Sequence, residues 1–302
     1  MKTIIPFVFL LLFVLLSGSS ATAQPANSLA SLIKQKAVLE KVASGFSFTE
    51  GPAVNSKGEI YFTDQPNNKV YIWNEKDEIS TFPVDGERAN GLYFDQNDHL
   101  VACADYRNKL IRIDAQGNKT VLADGFNGKH LNGPNDLWIH PDGTIFITDS
   151  YYHRPWWPEG QQQEQDERAV YRVSPEGEIK RVASGFKMPN GIVGTPDGQT
   201  LYVADIQDGK IWQYTIQEDG SLTNKSFFAP EGSDGMTIDD KGNVYLTNKT
   251  VSIYSRNGVK LGEIAVPEQP ANICFGGKNQ KTLFITARTS VYKLSMKVQG
   301  VH

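Results

Sequence analysis

The stretch NGLYFDQNDHLVACADYRNKLIRIDAQGNKTVLAD, residues 90–124, contains four short strand-like runs separated by polar turns. The runs NGLYFD, LVACAD, KLIRID and KTVLAD are rich in branched apolar residues, which favour strands, and the Asp, Asn and Gly residues between them favour turns. Comparable groups of short runs recur along the chain at intervals of about 40 to 55 residues, a period typical of propeller blades. The repeat predicts an all-β, six-bladed β-propeller with four-stranded blades.

One polar position is common to the first strands of all six repeats. Aligning TEGPAV, ANGLYF, PNDLWI, PNGIVG, SDGMTI and ANICFG places an oxygen-bearing side chain there each time, namely Glu50, Asn90, Asn135, Asn190, Asp234 and Asn272. First strands line the central channel of a propeller, so these side chains should converge. Oxygen ligands with two carboxylates favour one hard divalent cation, Ca²⁺ before the alternatives Mg²⁺, Mn²⁺ and Zn²⁺. The other interpretation is that the Asn residues only cap turns before glycine.

A second shared position lies at the ends of the second strands. It holds an aspartate in the first four repeats, Asp64, Asp105, Asp149 and Asp205. Aspartate at a strand end commonly accepts hydrogen bonds from turn backbone, so we expect a structural role for these four residues.

The phrase VASGF occurs twice, at residues 42–46 and 182–186. The second copy is the outermost strand of the third repeat, whereas the last repeat has only three evident strands, in NICFG, TLFITA and SVYKLSM. An open ring would leave an unpaired edge, so the first copy is predicted to supply the outer strand of the sixth blade. Cys103 and Cys274 then belong to the second and sixth blades and should remain unpaired.

The N-terminus has the features of a secretory signal. A lysine precedes an apolar run and the small residues Ala21-Thr22-Ala23, which predicts a signal peptide over 1–23, an N-terminal segment over 24–36 and a single propeller domain over 37–302. We therefore expect an exported protein, periplasmic or secreted, with no membrane attachment after cleavage. The net charge of −4 without a basic run argues against nucleic acid as a partner, and we expect a monomer.

Several motifs together give a specific resemblance. TEGP with Glu50, PNDL with Asn135, MPNGI with Asn190, SDGMTID with Asp234 and the closing PANICFGG and LFITA resemble the regucalcin/gluconolactonase family over essentially the whole mature chain. The resemblance implies one divalent cation held by Glu50, Asn190 and Asp234, with Asn135 as a further ligand or substrate contact, and hydrolysis of sugar lactones. The animal members carry an arginine two residues before the third-blade Asn, where this chain has Gly133.

Hydrolysis of a lactone needs a polarised carbonyl, an activated water and a stabilised oxyanion. Asp234 is the candidate general base and catalytic residue, while Glu50 anchors the cation. The long loop SYYHRPWWPEGQQQEQDER, residues 150–168, is expected to overhang the mouth of the channel where the shared polar residues lie. Its aromatic side chains could stack on a sugar and its basic ones meet hydroxyls or a carboxylate. The predicted substrate contacts are Asn90, Asn135, His153, Arg154, Trp156 and Trp157. The alternative is that the loop packs on its own blade.

Other functions remain open at this point. The chain contains neither a G-x-S-x-G elbow nor an H-E-x-x-H motif, which argues against a serine hydrolase or a zinc peptidase. A phosphotriesterase or another esterase could use the same metal site. A non-catalytic propeller that binds a glycan or a protein at the channel mouth has the same fold.

Overall fold

The computed structural model describes residue 1 and residues 28–301, and β-strands dominate this part of the chain. The predicted signal sequence and the start of the 24–36 segment lie outside the described residues, apart from Met1. Among the residues described, no helix has the length and apolar character needed to cross a membrane. The chain enters the fold through a short helix and a first strand, α1 (Leu29–Leu32) and β1 (Glu40–Ser44).

The strands of residues 28–301 form six four-stranded antiparallel sheets and one two-stranded hairpin. The first three blades follow one another along the chain. Blade 1 contains β2 (Thr49–Val54), β3 (Ile60–Asp64), β4 (Lys69–Trp73) and β5 (Ile79–Thr81), with a 3₁₀ helix at Gln65–Asn67; blade 2 contains β6 (Ala89–Phe94), β7 (Leu100–Ala104), β8 (Lys109–Ile113) and β9 (Lys119–Ala123); the hairpin is β10 (Gly125–Phe126) and β11 (Lys129–His130); blade 3 contains β12 (Pro134–Ile139), β13 (Ile145–Asp149), β14 (Ala169–Val173) and β15 (Ile179–Ala183).

The remaining three blades complete the ring. Blade 4 contains β16 (Pro189–Gly194), β17 (Thr200–Asp205), β18 (Lys210–Ile216) and β19 (Leu222–Ala229); blade 5 contains β20 (Met236–Ile238), β21 (Val244–Thr247), β22 (Val251–Tyr254) and β23 (Lys260–Ile264); blade 6 contains β24 (Asn272–Gly276), β25 (Thr282–Ala287), β26 (Ser290–Ser295) and the N-terminal β1. The first strand of each blade contacts the first strand of the next, and β24 contacts β2. The six-bladed propeller predicted from the repeats is confirmed.

The propeller closes through β1, as predicted. This strand pairs antiparallel with β26, with Glu40 opposite Lys293 and Ser44 opposite Ser290. Val42 and Ala43 pack against the apolar core between blades 6 and 1. The N-terminal strand therefore covers the edge of β26 that would otherwise be unpaired. The prediction for the cysteines is also confirmed, because Cys103 and Cys274 are both free and buried.

The first strands are irregular where they carry the shared polar residue. In blades 1 to 4 the pairing with the second strand shifts register across this position, between Glu50 and Ala53 in blade 1 and between Pro189 and Ile192 in blade 4. In blade 5 the strand begins only after Asp234. Such irregularities re-aim side chains next to functional sites, and here they occur at the channel end where the first strands begin.

The glycine that follows the polar residue in four blades is required by close approach of the neighbouring blade. A Cβ on Gly51 would collide with the backbone carbonyl of Asn90, and one on Gly191 would lie 2.8 Å from the backbone oxygen of Asp234. These glycines therefore let adjacent first strands come together at the axis. The pairs Glu-Gly, Asn-Gly and Asp-Gly reflect the packing of neighbouring blades, and the turn-capping interpretation does not account for them.

Candidate active site

The six shared polar side chains lie together at one end of the channel, and we call this set the ring. Its members are Glu50, Asn90, Asn135, Asn190, Asp234 and Asn272. All are buried except Asp234, which is partly buried. Three hydrogen bonds join neighbouring members: Asn190 Nδ2 to Asp234 Oδ1 at 2.7 Å, Asn272 Nδ2 to Glu50 Oε2 at 3.1 Å, and Asn90 Nδ2 to the backbone oxygen of Asn135 at 3.2 Å. The fold therefore brings the predicted ligands together.

Two oxygens of the ring have no hydrogen-bond partner within the described chain. They are the buried side-chain oxygens Oδ1 of Asn90 and Asn135. A buried polar atom left without a partner costs about 1–3 kcal/mol, so such atoms usually mark a bound ligand, ion or water. Both oxygens belong to residues predicted to contact the cation or the substrate.

The surroundings of the two ring carboxylates, Glu50 and Asp234, disfavour their ionised form. Burial raises the pKa of Glu50 well above its ordinary value, and the negative charge of Asp234 raises it further. Burial also raises the pKa of Asp234 to about 6, although the hydrogen bond from Asn190 and the charges of Arg154 and Arg288 act in the opposite direction. Two carboxylates that disfavour each other's ionisation become stable as a pair when a cation lies between them.

These observations fit a hard divalent cation. The set provides two carboxylates and several carboxamide oxygens, two of them unpartnered, and it contains no nitrogen or sulfur ligand of the kind that softer metals prefer. Within residues 28–301 no group of three His, Cys, Asp or Glu side chains is arranged to hold a metal, so a cation here would depend on the carboxamides.

A further acidic residue, Asp136, lies immediately beyond the ring. It is buried, its Oδ1 accepts the backbone N–H of Leu137 at 2.9 Å, and burial raises its pKa to about 7. It lines a cavity of about 550 Å³ that occupies the channel toward the face where the first strands end, together with Leu92, Trp138, Ile192, Met236 and Asn272. Asp136 was not predicted from the sequence, although it replaces the glycine that follows the ring residue in four other blades.

The aspartates at the ends of the second strands have the predicted structural role in three blades. Asp64 accepts hydrogen bonds from the backbone of Ser47 and Phe48, Asp149 from Asn132 and Gly133, and Asp205 from Lys187 and Met188. Each aspartate thus fixes the segment that leads into its own first strand. Asp105 is different, because its carboxylate accepts side-chain donors from the loop 150–168.

The first half of this loop lies against the ring, as expected. Tyr152 Oη accepts a hydrogen bond from Asn190 Nδ2 at 3.0 Å, and the Arg154 guanidinium lies 5.2 Å above the Tyr152 ring. Trp156 is partly exposed and donates its indole N–H to Asp105, whereas Trp157 is buried against Tyr151 and His153.

Two further positions, His153 and Gly133, lie near Trp157. His153 is exposed. Gly133 faces the Trp157 ring, whose nearest atom would lie 3.4 Å from a Cβ at that position. A long side chain at residue 133 would therefore have to displace Trp157.

The second half of the loop is attached to the β10–β11 hairpin. Gln165 Nε2 donates to the backbone oxygens of Phe126, Lys129 and His130, at distances between 3.0 and 3.1 Å. The side chains of Lys129 and His130 are exposed on this face. The loop is thus held at both ends, to the ring and to the hairpin.

The fold agrees with that of known proteins. Residues 48–289 match the model of the SMP-30/gluconolactonase/LRE-like region. The chain belongs to the SMP-30/gluconolactonase family. A gluconolactonase of Zymomonas mobilis is 28% identical over 293 residues, which cover 87% of this chain and 82% of that protein. Diisopropyl-fluorophosphatase of Loligo vulgaris is 25% identical over 291 residues, covering 86% and 92%. The solved structure of a gluconolactonase from Xanthomonas campestris superposes with a TM-score of 0.82 at 30% identity, covering 89% of this chain and 92% of the other.

Within this family member, the structure adds Tyr152 to the candidate residues. Its partly buried hydroxyl contacts a predicted cation ligand, and burial together with the charge of Asp234 raises its pKa, so it remains a neutral donor at physiological pH. The sequence places two tyrosines side by side in this loop, and only the path of the loop shows that Tyr152, and not Tyr151, reaches the ring.

Proposed function

We propose that this chain is a divalent-cation-dependent lactonase that opens sugar lactones at the ring. The observation that carries the proposal is the buried set of oxygen ligands at the channel mouth, with two unpartnered carboxamide oxygens between two carboxylates of raised pKa. The gluconolactonases of Zymomonas mobilis and Xanthomonas campestris, which resemble this chain over most of its length, support the choice of a sugar lactone as the substrate.

The cation ligands in this proposal are Glu50, Asn190 and Asp234, with Asn135 as a further ligand or substrate contact. A bound divalent cation supplies polarisation of the lactone carbonyl and stabilisation of the negative charge that develops on its oxygen. We propose Ca²⁺, because a set of carboxylates and neutral carboxamides suits its flexible coordination. Mg²⁺, Mn²⁺ and Zn²⁺ are the alternatives that the experiment below distinguishes.

Asp234 is the proposed general base. The Asn190 side chain holds Oδ1 at 2.7 Å, which orients the carboxylate and leaves Oδ2 for a water molecule. Asp234 takes one proton from this water as the oxygen attacks the carbonyl carbon. The C–O bond of the lactone ring then breaks, and the departing ring oxygen takes up the proton as an alcohol. Asp234 must be ionised to accept this proton, and a bound cation would favour the ionised form.

The remaining predicted residues form the walls of the substrate site. Arg154 is a partly buried cation at the mouth whose Nε faces Asp105 at 3.8 Å, and the exposed part of its guanidinium can bind hydroxyls or a carboxylate of the substrate. Asn90 offers an unpartnered oxygen, and Trp156 offers the edge of a partly exposed ring. His153 is exposed and Trp157 is buried, and their contact with substrate stays a prediction.

Organophosphate hydrolysis is a second candidate. The relative from Loligo vulgaris is a diisopropyl-fluorophosphatase that covers most of this chain, and a polarised P=O group makes demands on the site similar to those of a polarised C=O group. We also propose that the protein is exported and monomeric, on the basis of its N-terminal sequence and its closed ring.

The test is a proton-release assay of chelated protein reloaded with each of the four cations in turn. The substrates are gluconolactone, other sugar lactones and diisopropyl fluorophosphate. We expect lactone hydrolysis that is lost on chelation and restored best by Ca²⁺. Equal activity in chelated protein would contradict the role of the cation, and binding of a lactone without turnover would favour a non-catalytic propeller.

A further inference from the structure

Asp105 departs from a pattern that the other blades share. In blades 1, 3 and 4 the equivalent aspartate binds the backbone N–H groups just before its own first strand. In blade 2 these N–H groups have other acceptors: that of Glu87 donates to Asp85 Oδ1 at 2.9 Å and that of Arg88 to Asn68 Oδ1 at 2.6 Å. The carboxylate of Asp105 is therefore not needed to hold its own blade.

Instead, Asp105 binds two adjacent tryptophans of the neighbouring blade. The indole N–H of Trp156 donates to Asp105 Oδ2 at 2.7 Å, and that of Trp157 donates to the same oxygen at 3.2 Å and to the Asp105 backbone oxygen at 3.1 Å. The Asp105 side chain is only 5% exposed, so these bonds are shielded from water. Hydrogen bonds to a buried carboxylate are about twice as strong as those between neutral groups.

Arg154 and Tyr152 connect Asp105 to the ring through a continuous series of contacts. Arg154 Nε lies 3.8 Å from Asp105 Oδ2, and its guanidinium lies over Tyr152, whose hydroxyl binds Asn190. Asn190 in turn donates to Asp234. The carboxylate of Asp105 thus faces the residues that determine where the loop meets the proposed cation ligands.

The charges around Asp105 suit an ionised anchor. Burial raises its pKa to about 6, while Arg154, the two indole N–H groups and Arg88 act in the opposite direction. Arg88 also lies 4.8 Å from the centre of the Trp156 ring, and this cation–π contact helps to hold the ring beside Asp105.

We propose that Asp105 is a positioning residue that fixes the segment 150–157 over the ring, so that Arg154 and Tyr152 are in place before a lactone binds. The proposal deepens the proposed function and rests on it. A preformed site avoids the cost of ordering the loop on binding, so losing the anchor should weaken substrate binding more than it slows the chemical step.

The test compares Asp105→Ala with Asp205→Ala, which removes the equivalent aspartate of blade 4. For Asp105→Ala we expect the KM for the lactone to rise by about 10-fold or more, with kcat within about 3-fold of wild type and cation affinity unchanged. Indole emission should shift to longer wavelength, because two of the five tryptophans lose their buried partner. Asp105→Asn keeps an acceptor and should recover part of the wild-type KM.

The control should show the opposite pattern. Asp205 holds the backbone of Lys187 and Met188, which leads into Asn190, so Asp205→Ala should lower the melting temperature and the cation affinity without shifting the emission of the loop tryptophans. The same pattern in both variants would overturn the proposal, because Asp105 would then be an ordinary structural aspartate.

Two further measurements cover the cases in which Asp105→Ala does not fold or the wild-type protein does not hydrolyse lactones. If Asp105→Ala does not fold, Asp105→Leu fills the space of the side chain but offers no acceptor to the two indole N–H groups, and an unchanged KM in that variant would overturn the proposal. Indole emission requires no substrate, so it distinguishes the two possible failures. If the wild-type protein hydrolyses no lactone but the indole emission of Asp105→Ala is shifted, the proposed function is contradicted and the anchor is supported. If the emission of Asp105→Ala equals that of wild type, the anchor itself is contradicted.

Discussion

At the scale of single residues, the chemistry of the ring depends on which oxygen atoms remain available. Oε2 of Glu50 already accepts from the backbone N–H of Gly51 at 2.8 Å and from Asn272, and Oδ1 of Asp234 accepts from Asn190. The carboxamide oxygens of Asn90 and Asn135 have no partner among the described residues. The two kinds of oxygen should therefore respond differently to mutation.

Asp234→Asn tests the proposed base. The substitution keeps an oxygen next to Asn190 but removes the proton acceptor, so kcat should fall by about 10²- to 10⁴-fold while part of the cation affinity remains. Activity should be measured at saturating Ca²⁺, with bound metal determined independently. Near-wild-type turnover with the metal bound would assign the proton transfer to another group, with Glu50 as the first candidate.

Asn135→Ala tests the unpartnered oxygen. Because this oxygen has no partner in the chain without a cation, its removal should leave the unfolding free energy of chelated protein within about 1 kcal/mol of wild type. The affinity for the cation should fall, and calorimetric titration with Ca²⁺ measures it. A large loss of stability in the chelated variant, with unchanged affinity, would show that Asn135 serves the fold alone.

At the scale of the elements, β1 and the irregular first strands determine how the propeller closes and where the polar side chains of the ring lie. The strand β1 covers the open edge of β26, and the register shifts in blades 1 to 4 lie at the polar residue of each first strand. The strand β1 closes the propeller. The irregular first strands direct the six polar side chains of the ring to a common site.

Deletion of Ala37–Gly45 tests the closure. The variant loses the outer strand of blade 6 and the packing of Val42 and Ala43, so we expect the whole propeller to unfold in one transition at a melting temperature lower by about 10 °C or more. Circular dichroism and the emission of the buried Trp73 should report the same transition. A melting temperature equal to that of the intact protein would mean that blade 6 does not need β1.

At the scale of the whole molecule, the buried carboxylates link stability, pH and the cation. Glu50, Asp136 and Asp234 all have pKa values raised above their ordinary range, mainly because they are buried. An acid whose pKa is higher in the folded chain than in the unfolded one binds its proton more tightly when folded. The chelated protein should therefore lose stability as the pH rises from the unfolded value, near 4, through the folded value, which is about 6 for Asp234.

Thermal unfolding with chelator and with Ca²⁺ at about pH 5 and about pH 8 measures this linkage. Without the cation we expect the melting temperature to be lower at the higher pH by about 5 °C or more. The stabilisation by Ca²⁺ should grow over the same range, because the ionised carboxylates bind it. A stabilisation that is independent of pH would place the cation elsewhere.

The sequence by itself determined the number of blades, the closing strand, the shared polar position and the free cysteines. These features follow from local patterns, because alternation, turn residues and a repeat length near that of one blade require no knowledge of distant contacts. The ring could be predicted from one alignment of six short strands, since equivalent positions of a propeller meet at its axis.

Only the tertiary structure decided how side chains outside the repeat are used. Asp105 has the same place in its repeat as Asp64, yet its carboxylate binds two tryptophans of the next blade. Tyr152 reaches Asn190 because the loop is held on both sides, and nothing in the residue letters distinguishes it from Tyr151. Such contacts join residues far apart in the chain, and they depend on the angle between blades and the path of a long loop, which a local sequence pattern does not specify.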